Sequence, residues 1–356
     1  MDDSSIAFLK TLLDTPGPSG FETGPAIVWR REAEAFADEV SSDVNGNSFA
    51  TLRGAPDGPA VMFAGHIDEI GLMVVYIDDD GYLWFDPIGG WDEQVFVGQR
   101  VVLLGRAGPV AGVIGKKAIH LMDKEDREKV SRVRDLWIDI GAANRAEAAA
   151  RIRVGDPGVL AATIEELPNG LIVSRSLDNR IGAFVVLEAL KLLKKNPPAA
   201  TVTAVATAQE EIAYTGGGAR TSAMSLTPSV AIVVDVTHAT DTPGVEKKRY
   251  GDIKLRGGPV LSRGSAVNGP AFDLLVETAE AEGIPFAIHA APRFTGTDAD
   301  AIFTAARGVA TALVSVPNRY MHSPNEMAAL EDLERAAALL AGFARRVTRT
   351  TSFNPR

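Results

Sequence analysis

Short apolar runs with abrupt polar ends punctuate the chain. Residues 59–65, 201–208, 230–234 and 311–316 are rich in β-forming side chains and predict buried strands. Residues 5–13 predict a first helix, residues 15–20 a Pro/Gly turn, and a second helix runs from about Glu22 to Phe36. From Leu171 onward, helical stretches such as the apolar run 181–193 alternate with strands, which predicts βαβ units and a mainly parallel sheet. Between Leu72 and Ala162 the texture differs. There the runs 72–77, 82–85, 100–104 and 110–114 are spaced by Gly, Asp and Pro, as in an all-β barrel or sandwich. One of the four apolar strands precedes this segment and three follow it. The pattern therefore predicts a discontinuous α/β domain (residues 1–71 plus 163–356) with a β-rich domain inserted at 72–162. The fold class expected is a mixed, mainly parallel sheet flanked by helices, with an all-β barrel-like insertion.

Each of the four strands hands a metal-type or acid–base residue to its carboxyl end. His66 and Asp68 follow the first, Glu210 and Glu211 the second, Asp235 the third, and His322 comes a short loop after the fourth. In open α/β sheets ligands bind outside the carboxyl ends of the strands. Two ionised groups at the tip of a core strand are costly to desolvate unless a cation or hydrogen bonds compensate. Adjacent acids also occur where no chemistry is indicated, at Asp2–Asp3 and Glu165–Glu166. Independent solvent-facing strand ends would not gather this set, which matches the nitrogen and oxygen donors that zinc or cobalt accepts.

Local spacing refines the picture. His66 and Asp68 are two apart, so in an extended segment both point the same way, and Asp68 can orient an imidazole that binds metal. Of Glu210 and Glu211, one carboxylate can bind metal while its neighbour moves a proton. Asp178 precedes the apolar helix at a position suited to an N-cap; capping and offering both oxygens to two cations would compete. Asp235 fits an Asx-type turn as well as a ligand, and His322 lies in a proline-bounded loop that would hold its ring. Residues 296–299 form a further polar loop able to line a pocket. Glu69 reads equally as a ligand, a partner for a substrate amine or an exposed acid. His120 and His289 read as structural or surface residues, and His238 as pocket-lining by its closeness to Asp235.

Composition narrows the class. The chain has 356 residues, 46% hydrophobic and 23% charged, the balance of a globular protein with a large core or two domains. It contains no run of apolar residues long enough for a membrane span, its first residues are acidic where a secretory signal would be basic, and it has no Cys. A cytoplasmic enzyme without thiolate chemistry is expected. A net charge of −10 argues against nucleic acid, and Lys116, Lys117 and the mixed charges of 123–134 read as solvated surface. Arg345, Arg346 and Arg349 suit the end of a terminal helix.

The motifs at 65–71 (Gly-His-Ile-Asp-Glu-Ile-Gly), 177–182 (Leu-Asp-Asn-Arg-Ile-Gly), 209–212 (Gln-Glu-Glu-Ile), 235–238 (Asp-Val-Thr-His), 241–244, 296–299 and 319–324 (Arg-Tyr-Met-His-Ser-Pro) resemble the M42 family of dinuclear metallo-aminopeptidases. The resemblance runs in order over nearly the whole chain, including 112–115 and 137–141 of the β-rich segment. It implies two divalent cations, zinc or cobalt with manganese as an alternative. His66 and Asp235 would hold one, Glu211 and His322 the other, with Asp178 bridging. Glu210 would be the general base and Asp68 would orient His66. It also implies peptide substrates with a free N-terminus, and a homo-oligomer whose dimers form through the inserted domain and can assemble into a tetrahedral dodecamer. No nucleic acid or membrane partner is implied. The chain departs from the family's pattern at 212–219, where Ala213 replaces a glycine and two residues are added, a change that bears on substrate preference. The rival readings are an N-acyl-amino-acid deacylase or carboxypeptidase on a related scaffold, a two-carboxylate glycosidase, and a non-catalytic assembly protein. The last would be expected to lack a ligand or the base, and none is lacking.

Overall fold

A computed structural model describes residues 1–212 and 216–355. Among these, eight strands form one mixed sheet in the order Glu39–Ser42, Ser48–Leu52, Thr201–Thr207, Ala60–His66, Val230–His238, Ala310–Asn318, Val260–Gly264, Ala287–Ala291. The four apolar runs are its parallel centre. Their side chains alternate between two buried faces. Val230, Ile232 and Val234 pack with the helices Leu177–Lys195 and Leu330–Arg346, whereas Ala231 and Val233 pack with Ala219, Ala223 and Ile302 of the helices Gly217–Leu226 and Asp298–Phe303. Strands buried on both faces read as continuous hydrophobic runs, as these do.

Six further strands, Gly71–Ile77, Leu83–Ile88, Arg100–Gly105, Gly108–Gly115, Trp137–Asp139 and Pro157–Leu160, close into a barrel around its own core of Leu72, Phe85, Phe96, Leu103 and Ile138. Three short strands, Glu165–Leu167, Leu171–Ser174 and Glu326–Ala329, form a small antiparallel sheet beside the main one. Two expected boundaries move. The second helix is Thr23–Glu34 rather than reaching Phe36, and just past its end the amides of Phe36 and Ala37 share the Ala33 carbonyl. The third apolar strand does not stop at Asp235 but runs to His238, held by continued pairing with the strand Ala310–Asn318.

Candidate metal centre

Register brings the strand ends level. Thr207 pairs with His66, and Val233 pairs with Ala64, which puts Asp235 two residues further on abreast of His66. The helix Leu177–Lys195 then enters directly beneath them. A Cβ on Gly65 would come within 2.4 Å of the Gly182 backbone, and one on Gly182 within 2.6 Å of the Val234 carbonyl, so the turn that carries Asp178 can sit this low only because both positions are glycine. Asp178 does not cap the helix. Asn179 does, accepting from the Gly182 amide at 3.0 Å while its own amide donates to the Val234 carbonyl at 2.7 Å. That leaves both Asp178 oxygens for the site: Oδ1 is 3.2 Å from His66 Nε2 and Oδ2 is 3.4 Å from His322 Nε2.

The remaining donors cluster around this carboxylate. His66 Nε2 lies 3.8 Å from Glu210 Oε2 and 3.9 Å from Asp235 Oδ1, and His322 Nε2 lies 3.5 Å from Glu211 Oε2. Both rings are turned by their other nitrogen. His66 Nδ1 faces the Asp68 carbonyl at 3.3 Å and its carboxylate at 3.4 Å, and His322 Nδ1 faces the Gly90 carbonyl, next to the barrel, at 2.5 Å. A partner at Nδ1 leaves Nε2 with its lone pair toward the carboxylates, the tautomer a metal-binding imidazole needs. Asp68 has a second task that the sequence does not show: its two oxygens accept the backbone amides of Glu210 and Glu211, each at 3.1 Å.

The electrostatics are unbalanced. Burial pushes Glu210, Glu211 and Asp235 well above the usual carboxylate range, and neighbouring acids push the same way. Burial alone would lower the proton affinity of His66, but hydrogen bonds to Asp178 and Asp68 and the charge of Glu210 raise it well above that of an ordinary imidazole. Asp178 is raised by burial yet held low overall by the two histidines. Asp298, which accepts from Thr207 Oγ1 at 2.5 Å, is pushed up by burial to about 6. Glu211 Oε1 is buried with no hydrogen-bond partner among the described residues. Ligand atoms of His66, Asp178 and Glu211 lie within 4.8 Å of one another. Crowded carboxylates, an orphaned oxygen and two presented imidazoles fit divalent cations, which would neutralise the acids and occupy the free lone pairs.

All seven residues singled out beforehand (His66, Asp68, Asp178, Glu210, Glu211, Asp235 and His322) meet at this one place. A cavity of about 330 Å³ opens over six of them, Asp68 lying below, and is walled by Tyr250, Thr295, Met321 and the imidazoles of His238 and His289. His289, expected to be a structural or surface residue, is thus a wall of the cavity. A wider cavity of about 770 Å³ continues past Glu210 and Glu211 to Arg220, Asp298 and Asp300. The expected 296–299 loop is a loop only at Gly296 and Thr297, because Thr297 caps the helix Asp298–Phe303, which takes in the other two residues. Glu69 is neither a ligand nor exposed: it is buried between Arg175 and Arg180 and accepts the Gly17 amide at 3.0 Å. In the departing segment 212–219, Ala213, Tyr214 and Thr215 lie outside the described residues, Gly216 has a left-handed φ of 95°, and Gly217 to Ala219 already belong to the helix Gly217–Leu226. Sequence reading gave no place to Glu326. The available signal was a single acid before the apolar run 327–330, four residues after His322.

Comparison with known proteins bears on this geometry. The family model described as M42 glutamyl aminopeptidase matches residues 46–339. A lysyl aminopeptidase of Pyrococcus furiosus is 34% identical over 335 residues, covering 93% of this chain and 94% of that protein. The crystal structure of a TET aminopeptidase from the Thaumarchaeota archaeon SCGC AB-539-E09 superposes with a TM-score of 0.93 at 34% identity, covering 98% of both chains. The TET1 peptidase of Pyrococcus horikoshii, which can assemble into a tetrahedron or a large octahedral shell, gives 0.85 at 30% identity, covering 96% of this chain and 99% of that one. Among the described residues, no helix is long and apolar enough to cross a membrane.

Proposed function

This chain belongs to the M42 peptidase family and is an aminopeptidase, and from that premise we propose that it removes N-terminal residues from peptides at a dinuclear metal centre built on Asp178. The observation that carries the two-metal reading is the placement of Asp178, with one oxygen toward His66 at 3.2 Å and the other toward His322 at 3.4 Å. One carboxylate between two donor groups supports His66 with Asp235 on one cation and Glu211 with His322 on the other. The nitrogen and oxygen donors suit zinc or cobalt, with manganese as an alternative.

Divalent cations bound there supply Lewis-acid polarisation of the scissile carbonyl and make water more acidic. Glu210 then handles the proton. Its carboxylate borders both cavities, and burial raises its proton affinity, which suits a group that must hold a proton between two steps. Water adds its oxygen to the carbonyl carbon and loses a proton to Glu210. As the C–N bond breaks, Glu210 returns that proton to the departing amine. Asp68 keeps the machinery in register by holding His66 and the Glu210–Glu211 backbone at once.

We take residues 1–71 and 163–356 as the peptidase unit and residues 72–162 as an inserted domain that forms dimer contacts within a homo-oligomer. Val113, Ile119, Leu121 and Val130 on that segment are exposed apolar side chains, which supports an interface there. The enzymatic reading is tested with aminoacyl anilides and their N-acetylated counterparts, assayed after chelation and re-addition of zinc, cobalt or manganese. Metal-restored cleavage of the free-amine substrates is expected. A preference for the blocked substrates would point instead to a deacylase or carboxypeptidase.

A further inference from the structure

The geometry points to Glu326 as the positioning residue that sets the spacing between the two histidine-bearing sides of the centre. Its Oε2 accepts the backbone amide of Asp178 and its Oε1 that of His322, each at 2.8 Å. A single buried carboxylate, 2% exposed, therefore ties together two chain segments that lie 144 residues apart in the numbering, from 178 to 322. It does so at the point where Asp178 Oδ2 meets His322 Nε2.

Both amides it holds belong to irregular backbone. Asp178 has φ −80° and ψ 107° inside a nominal helix, and His322 has a left-handed φ of 60°, a region that non-glycine residues seldom occupy without support from their surroundings. Neither segment has a regular ladder to set its height. Glu326 does have one. Its Cα pairs with Ser174 in the small antiparallel sheet, and the strand Leu171–Ser174 leads straight into the Asp178 turn. The carboxylate is thus referenced to a rigid element and transmits that reference to both segments. Asp68 does the same for Glu210 and Glu211 from the opposite side.

The chemistry of the contact selects a carboxylate. Two backbone N–H donors converge on one side chain, so two acceptor oxygens are needed. Glutamine has the same shape but only one acceptor, and its amide would set a donor against a donor. Glutamate is therefore required for a reason separable from packing, and the inference rests on the metal-centre reading above.

The test uses full-length protein and Co²⁺ as probe, comparing wild type with Glu326→Gln and Glu326→Asp. Co²⁺ affinity is read by titration calorimetry, coordination by the visible absorption of the cobalt form, and turnover with an aminoacyl anilide. Circular dichroism of the metal-free proteins reports folding. For Glu326→Gln, Co²⁺ affinity should fall roughly 10- to 100-fold, the size typical of lost partners behind metal ligands, with an altered cobalt spectrum and a loss confined mainly to kcat. Glu326→Asp keeps both acceptors on a shorter arm and should recover part of each property. A folded Glu326→Gln protein with wild-type cobalt affinity and spectrum overturns the assignment, even if it melts earlier. If Glu326→Gln does not fold, Glu326→Asp carries the test: weakened cobalt binding supports the role, and wild-type binding overturns it. Failure of the wild type itself to take up Co²⁺ would instead overturn the metal centre, and this assignment with it.

Discussion

Replacing Arg180 with methionine should lower the melting temperature by about 4 to 7 °C. Arg180 is fully buried and uses its whole guanidinium. Nε donates to the Ile67 carbonyl at 3.0 Å, and Nη1 to the carbonyls of Leu12 at 3.0 Å, Leu13 at 3.3 Å and Thr15. Nη2 donates to the Gly17 carbonyl at 3.3 Å and to Glu69 Oε1 at 2.8 Å. Two of these carbonyls belong to the last turn of the helix Asp3–Asp14, whose C-terminal groups have no partner within the helix. Burial lowers the guanidinium's pKa to about 10 against the pull of Glu69, so it remains charged at neutral pH. Methionine fills much of the same volume but leaves Glu69 with only Arg175 as a buried counter-charge. Removing one partner of a buried pair costs about 3 to 5 kcal/mol. An unfolding entropy of about 2.1 cal/mol/K per residue over 356 residues gives about 0.75 kcal/mol/K, hence the stated fall. The measurement is a calorimetric scan of metal-free wild type and variant at equal protein concentration, because any assembly would make the melting temperature depend on concentration. A fall of less than about 1 °C would show that the clamp's desolvation cost cancels its bonds, as it can for buried ion pairs.

Glu210→Gln should retain Co²⁺ and lose about 10²- to 10⁴-fold in kcat, the usual worth of a positioned acid–base group; activity within about threefold of wild type would remove Glu210 as the base. Thorough chelation should abolish aminoacyl-anilide cleavage and zinc or cobalt should restore it, whereas full activity in the chelated protein would favour chemistry by carboxylates alone. Asp332, fully buried and accepting the amides of Arg256 and Gly258, has its pKa raised by burial from 3.8 to about 6. The folded state therefore holds this proton more tightly than the unfolded chain, and the contribution is present below about pH 4 and lost as pH rises through 6. Across that window it amounts to roughly 3 kcal/mol. Melting curves from pH 4 to 7 should show wild type losing ground relative to Asp332→Asn as pH rises, and a constant difference would refute the shift.

The parallel centre was legible because its strands are buried on both faces and so appear as unbroken apolar runs with chemically unlike ends. Where such runs are parallel, adjacent and in register, the residues after them must converge, and His66, Glu210, Glu211 and Asp235 do. The N-cap reading of Asp178 was well founded on residue type and position, and locally nothing separated it from the ligand reading. What removes the capping reading is Asn179, which takes over the capping, while the bare backbones of Gly65 and Gly182 let the turn drop between the histidines.

Less visible was everything that acts through backbone amides. A carboxylate that binds N–H groups leaves no spacing rule in sequence, because its partners' side chains are irrelevant to the contact. Glu69 could be read three ways for that reason: one of its bonds goes to the Gly17 amide, and the others go to arginines more than a hundred residues away. Asp68 and Glu326 share the property. Each sits on or just after regular strand structure and accepts two amides from the irregular segments that carry the proposed ligands. The proposed donors to cations are suggested by residue type, whereas the groups that fix their distances could be found only from the fold. The dinuclear site proposed above would tolerate little error in those distances, so the anonymous carboxylates are the ones whose loss should alter metal binding without removing a ligand.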